Sequence, residues 1–401
     1  MKKVSFFSVN SGRGIDSTTS MLSGYQQNLN TGGCLRSRLQ NQNYVVNFLI
    51  TVLLYIFCVC FLVSCRISSP EDDILIIPVD VRENAHVRLS EISIDIKRIV
   101  LETSEESVIG GLRQALLDND RIFVLDIQGI HAFDLSGKYL FSINKRGRGP
   151  GEFLIPSNIT MDAENIYFSG GSGKILRYDR DGRFIDERTD MGFLEYLRFE
   201  NDFLHVIRQE FTRPMGNETF ANIAIMDRYS RNWQLVDTIV VKTIIVPGLV
   251  ASTGPGVDYI SKDDRGNLFV YYPVHLLETF ARDTLYVLDN DRLLPHAKLK
   301  FNNENSTQRN KRINSITRTS RFLFTNYFCL QDNEKKYFFY DFKNKTGKNM
   351  TGGFLDDVYN SGIVEIRLID NQYFYFVTEA EYSPDIAMEP NPVLYIGKFK
   401  E

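Results

Sequence analysis

The 401-residue chain predicts an all-β fold, a six-bladed β-propeller of four-stranded antiparallel blades, preceded by an N-terminal signal or anchor segment. Three observations carry the prediction. Two stretches repeat each other at an offset of 44 to 45 residues, four weaker pairs of strand-like segments follow them, and almost no stretch has helical periodicity. The composition agrees, because 29 Phe and 20 Tyr against a single Trp favour pleated, half-buried surfaces. A formal net charge of -4 argues against a general nucleic-acid binder, which would carry a basic domain or stripe.

In chain order, residues 1–64 read as a leader and lipoprotein-type signal sequence or membrane anchor. Residues 65–90 read as a polar tether with a first strand, and 91–401 as the propeller. The run "YVVNFLITVLLYIFCVCFLVS" (44–64) holds no charged residue and is long enough to span a bilayer, which takes about 20 residues. Arg36 and Arg38 supply the positive flank that holds that end in the cytoplasm. The run ends in "LVSC", which resembles the lipobox of bacterial lipoproteins; the resemblance implies that Cys65 is acylated and becomes the mature N-terminus. An uncleaved anchor is the alternative, and both place the residues after 65 outside the inner membrane. Cys65 lies farther from Met1 than the roughly 15–30 residues of a signal peptide, and Met21 is a candidate start. The acidic residues Glu71 to Asp73 resemble a surface-display signal of Bacteroidetes lipoproteins. Of the five cysteines only Cys329 falls in the body of the chain, so no disulfide framework holds the fold. In "RFLFTNYFCL" it reads as a small buried core residue.

The repeat is clearest when "RIFVLDIQGIHAFDLSGKYLFSI" (121–143) is set above "NIYFSGGSGKILRYDRDGRFIDE" (165–187). Each copy reads as strand, short turn, strand, tight turn, strand, with "SGK" and "DGR" supplying hairpin-turn chemistry. Weaker units pair 203–211 with 221–230 across a longer loop, 266–273 with 283–293, 321–330 with 336–348, and 371–379 with 392–400. Units of four short strands at 40 to 50 residues are propeller blades, whose ring closure protects the inner strand edges. "SIDIKRIVLE" (93–102) alternates through Ile94, Ile96 and Ile99, and is expected to add a strand to the sixth blade and latch the ring.

The stretch "GRGPGEFLIPSNITMDAENIYFSGGSGKILRYDRDGRFI" (147–185) resembles an NHL repeat. With "LVSC", "FDLSGKYLFSINKRGRGPGEF" (133–153), "RDTLYVLDNDRLLPHAKLKF" (282–301) and the closing "PVLYIGKFK", the chain is similar to the six-bladed β-propeller lipoproteins of Bacteroidetes. The resemblance covers about 90 to 401. It departs from the repeat pattern in blade two, where Ser169-Gly170 stand in place of the strand-ending aspartate present in blade one as Asp126. It implies a fold and an outer-membrane, periplasmic or surface-exposed address, and little about mechanism.

The glycines and basic residues of "KRGRGPGEF" suggest a phosphate cradle, but Lys145 precedes the glycines and no Ser or Thr follows them. The structural expectation is a crossing between blades one and two by Gly147, Gly149, Pro150 and Gly151. Glu152 would accept hydrogen bonds from backbone donors in the turn, and Phe153 would fill the space between blades. "DDRGNLF" (263–269) lacks calcium-loop spacing and reads as a hairpin turn. The five histidines are scattered, and His131 and His205 fall within strands as packed or surface residues; no metal site, cofactor or catalytic residue is assigned. No G-x-S-x-G elbow anchors a hydrolase triad. The expected function is an envelope-tethered module that binds a ligand or protein, held to the membrane by its lipid, with carbohydrate, peptide or an envelope protein as the open partners. The alternative is a metal-dependent, lactonase-like hydrolase or lyase with its site in the central channel.

Overall fold

The computed structural model describes residues 74–401 except 217–218, 249–257, 275–281, 303–310, 330–332 and 381–387. The apolar run 44–64 and Cys65 therefore lie outside the described residues. Among the described residues six blade sheets follow one another along the chain, stepping outwards from an innermost strand, and a two-stranded sheet of Phe354–Asp356 and Gly362–Val364 comes between the fifth and the sixth in chain order. The innermost strands are Gln114–Leu117, Ile159–Met161, Phe193–Glu200, Ile260–Lys262, Lys311–Arg318 and Arg367–Leu368. They head blades one to six of a β-propeller.

The sixth blade is completed from the other end of the chain. Ser93–Val100 pairs antiparallel with Val393–Phe399 as its outermost strand, from Ser93↔Phe399 to Val100↔Val393. Its two faces serve two cores: Ile96 packs among the phenylalanines between blades five and six, and Ile99 among the aliphatics between blades six and one. Ile94 is not part of that alternation. A register shift between Ser93 and Asp95 turns it outwards, and it is 62% exposed. The first strand expected within residues 65–90 joins the fourth blade, a pairing that the sequence pattern did not reveal. Leu75–Val79 pairs parallel with Arg292–Phe301, burying Ile77 and Val79 completely. Part of the segment read as tether is thus core. In the third blade the expected longer loop is replaced by longer strands, Phe203–Gly216 and Thr219–Tyr229, which run on almost to the turn.

Each blade interface holds one apolar cluster. Phe153 joins Phe123 and Leu125 of blade one to Phe168 and Leu176 of blade two, and Phe399 of blade six meets Phe324 of blade five at 5.4 Å between ring centroids. Twisted sheets stacked in this way bury both faces, which explains why strands such as Arg121–Leu125 are almost wholly buried and do not alternate. Cys329 sits in the cluster between blades four and five.

The hairpin turns are held by aspartates. Asp134, Asp179, Asp263 and Asp341 each accept backbone N–H groups two to four residues further on, at 2.8 to 3.2 Å. In "DDRGNLF" the Asp263 carboxylate is occupied by Arg265, Asn267 and the Asn267 amide. Asp126 accepts Gln128 and Gly129 from its own turn and Gly110 from before the first strand. Its carboxylate also lies 3.4 Å from Nε2 of the buried His131, whose Nδ1 shares a hydrogen bond with Ser142 Oγ. Burial raises the Asp126 pKa, but His131 and the backbone donors outweigh it and hold the carboxyl below its ordinary range. This Asp–His–Ser line ties together three strands of one blade, away from the channel.

Candidate functional site

The segment "KRGRGPGEF" crosses from the outermost strand of blade one to the start of blade two. Glu152 folds back over the glycines, its Oε2 accepting Gly149 N–H at 2.8 Å, and a Cβ at Gly147 would overlap that carboxylate. Gly151 has φ +71 and donates to Glu187 Oε2 at 2.9 Å. Lys174 reaches in from blade two to the carbonyls of Gly149 and Glu152 at 3.0 and 3.2 Å. Phe153 is buried edge-on against Phe168. The basic residue closest to the glycine backbone thus donates to carbonyls, and the amides of Gly149 and Gly151 are taken by carboxylates.

A cavity of about 750 Å³ lies in the central channel, and every blade contributes residues at or next to the start of its innermost strand. That volume falls within the range of small-molecule sites. The inner strands are laced around it. Arg367 donates to the Arg113 carbonyl at 2.5 Å, Gln114 Oε1 accepts Asn158 Nδ2 and Ile159 N–H at 3.0 Å, and Asn158 Oδ1 accepts Leu197 N–H at 2.5 Å. Lys262 pairs with Glu200, Ser261 Oγ accepts Arg318 N–H at 2.9 Å, and Lys335 pairs with Glu365 at 2.6 Å. These contacts link successive blades around the ring. Arg198 of blade three reaches across to the Ile369 carbonyl of blade six at 3.1 Å, one residue beyond the cavity-lining Leu368.

The charges are unevenly compensated. Burial disfavours charged Arg198, but Glu200 and Tyr196 outweigh it and hold the guanidinium firmly protonated. Glu200 is likewise held below the usual carboxylate range, because Arg198 and Lys262 outweigh its burial. Glu195 accepts from Gln209 Nε2 and Tyr272 Oη. Burial pushes the Asp258 carboxyl upwards although Arg198 and Arg367 face it. Arg113, which donates to the Pro156 carbonyl at 3.3 Å, and Arg312, which lies over the Phe328 ring, have by contrast no carboxylate partner among the described residues.

Four buried polar atoms in the cavity wall have no hydrogen-bond partner among the described residues: Tyr196 Oη, Tyr337 Oη, Arg312 Nε and Asn314 Oδ1. Tyr196, Tyr337 and Asn314 are only 3%, 7% and 7% exposed. The Tyr196 phenol lies near Asp258 and Arg198 and that of Tyr337 near Glu365, without reaching hydrogen-bond geometry. Burial first, then the neighbouring carboxylates, pushes both phenols up, so they stay protonated and able to donate. Leaving such a group unmet costs about 1–3 kcal/mol.

Sequence reasoning placed none of these side chains, because they come one or two per blade and only closure of the ring assembles them. The available signal was the residue just at or before each innermost strand, where Arg113, Arg312 and Arg367 stand. His131 and His205 are both buried away from the cavity lining. Among the described residues, no group of three His, Cys, Asp or Glu side chains is arranged to hold a metal ion.

A search of curated proteins finds no match. Among solved structures the fold is similar to a protein from Bacteroides fragilis whose description as exported is provisional, at TM-score 0.60 and 18% identity, covering 81% of this chain and 100% of that one. The extracellular domain of a provisionally assigned two-component-system protein from Bacteroides thetaiotaomicron aligns at TM-score 0.40 and 14% identity, over 71% of this chain and 32% of that one. A protein of unknown function from Bacteroides caccae aligns at TM-score 0.31 and 14% identity, over 67% and 80%. The family model described as "Domain of unknown function (DUF4934)" matches residues 74–398, from the parallel strand of blade four to the last strand of blade six. The chain belongs to that family.

Proposed function

We propose that the chain is an exported, lipid-tethered module that takes a small ligand into the central cavity of its propeller. The observation that carries this reading is the convergence of Tyr196 Oη, Tyr337 Oη, Arg312 Nε and Asn314 Oδ1 on one cavity without hydrogen-bond partners among the described residues. Buried polar groups are ordinarily satisfied, so four exceptions around one space favour a ligand that satisfies them. The lacing of the inner strands supports the reading too, since it fixes the wall before any ligand arrives. The metal-dependent hydrolase reading lacks a ligand set among the described residues.

The address rests on the apolar run and "LVSC", and the provisional description of the Bacteroides fragilis protein as exported agrees with it. Labelled palmitate should enter the wild-type chain and be lost from Cys65→Ala; label retained by the variant contradicts the lipid assignment. For the cavity, the full-length protein extracted from its own envelope should carry a small-molecule adduct in non-denaturing mass spectrometry. Asn314→Trp, which fills the cavity, should lose it. An adduct kept by that variant, or none on the wild type, counts against the proposal.

A further inference from the structure

We infer that the cavity selects an anionic, polyhydroxylated ligand, an acidic sugar, whose carboxylate is met by the arginines of blades five, six and one. The inference rests on the cavity being a binding site and goes further in naming what it takes.

Blades five, six and one are consecutive around the ring, and each sets an arginine at the head of its innermost strand: Arg312, Arg367 and Arg113. All three line the cavity. The Arg367 guanidinium already holds the Arg113 carbonyl, which fixes two of them relative to one another. The carboxylates of the cavity wall are largely spoken for. Glu365 is bound by Lys335 through both oxygens at 2.6 Å, Glu195 receives two donors, and Asp258 faces Arg198 and Arg367. What remains is cationic, at Arg113 and Arg312, and donating, at the phenols of Tyr196 and Tyr337. Guanidinium forks suit carboxylates better than any other side chain.

The rest of the wall distinguishes a sugar acid from a simple carboxylate. Ser157, Asn314, Ser315 and Asn326 offer short amides and hydroxyls that can both donate and accept, matching ring hydroxyls. Asn314 Oδ1 is an unpartnered acceptor for one of them. Phe193, 44% exposed and braced edge-on by Phe211 at 5.2 Å, presents an aromatic face at the cavity, of the kind on which an apolar sugar face can lie.

The test is calorimetric titration of the full-length protein with glucuronate, glucose and the dipeptide glutamyl-glutamate. Glucuronate should bind roughly ten- to a hundredfold tighter than glucose, the factor expected of a charge-assisted hydrogen bond. Arg312→Gln and Arg113→Gln should each erase most of that preference, with Arg312→Lys restoring part of it. Melting curves of the variants identify any loss caused by misfolding. Glucose binding as tightly as glucuronate, with both lost in Asn314→Trp, would overturn the anion selection and leave the cavity reading standing. Tighter binding of the dipeptide would overturn the choice of a saccharide. Absence of glucuronate binding also overturns the inference. Glucuronate binding untouched by both Arg→Gln variants and by Asn314→Trp would sink this inference and the cavity reading together.

Discussion

His205 shows how one buried side chain makes the fold sensitive to acid. It is 1% exposed on the second strand of blade three, donating Nε2–H to the Glu200 carbonyl at 3.3 Å, while its Nδ1 has no hydrogen-bond partner. Burial, only partly opposed by that carbonyl, pushes its pKa down from 6.5 to about 4. The folded chain therefore keeps His205 neutral where the unfolded chain takes up a proton. Stability is fully present above pH 6.5 and falls as pH drops towards 4, by on the order of 3 kcal/mol. His296, also held at about 4 by burial and then by Arg318, adds a smaller share because it is partly solvated. Urea midpoints measured between pH 7 and 4.5 should fall for the wild type and fall less for His205→Gln. Equal slopes would show that His205 is not buried as described. Glu200 and Asp126, whose pKa values are lowered, bring their own loss only below about 4.5, the ordinary carboxylate range.

Among the elements, the latch strand Ser93–Val100 and the turn 145–153 have the most to lose. Because Ile96 and Ile99 fill different blade interfaces, truncating either one loosens the junction of the two chain ends. Ile96→Ala and Ile99→Ala should each cost about 2–4 kcal/mol in denaturant unfolding; losses below 1 kcal/mol would show that the latch is peripheral. Glu152→Ala should cost about 1–2 kcal/mol by freeing the Gly149 amide and the space above Gly147, and a neutral result would remove the carboxylate from the account of that turn. The sequence made these elements readable for a physical reason. The second to fourth strands of blades one and two are five to seven residues long with aspartate-glycine turns, so pattern and turn chemistry agree. The innermost strands were hidden, because Arg367–Leu368 has two residues and Ile159–Met161 three, too few to show alternation. A first strand was legible within 65–90, but its place beside Arg292–Phe301 was hidden, because no turn announces a parallel pairing.

For the whole molecule, ring closure turns six unremarkable strand starts into one cavity. The blade count could be reasoned from the repeat, whereas the site could not, since Arg113, Tyr196, Arg312 and Arg367 are separated by up to 254 residues in contact terms, as the Arg367–Arg113 bond shows. The inter-blade contacts already satisfy the groups that hold the ring, and among the described residues none reaches hydrogen-bond geometry with the Tyr196 and Tyr337 hydroxyls. Whether the scaffold needs these hydroxyls is read from stability without a ligand. Equilibrium urea unfolding of the Tyr196→Phe/Tyr337→Phe double variant should show stability equal to the wild type or higher by about 1–2 kcal/mol, because two unmet buried hydroxyls are removed. A loss of more than 2 kcal/mol would show that the hydroxyls serve the scaffold, and would contradict the reading of the cavity as a site kept for a ligand.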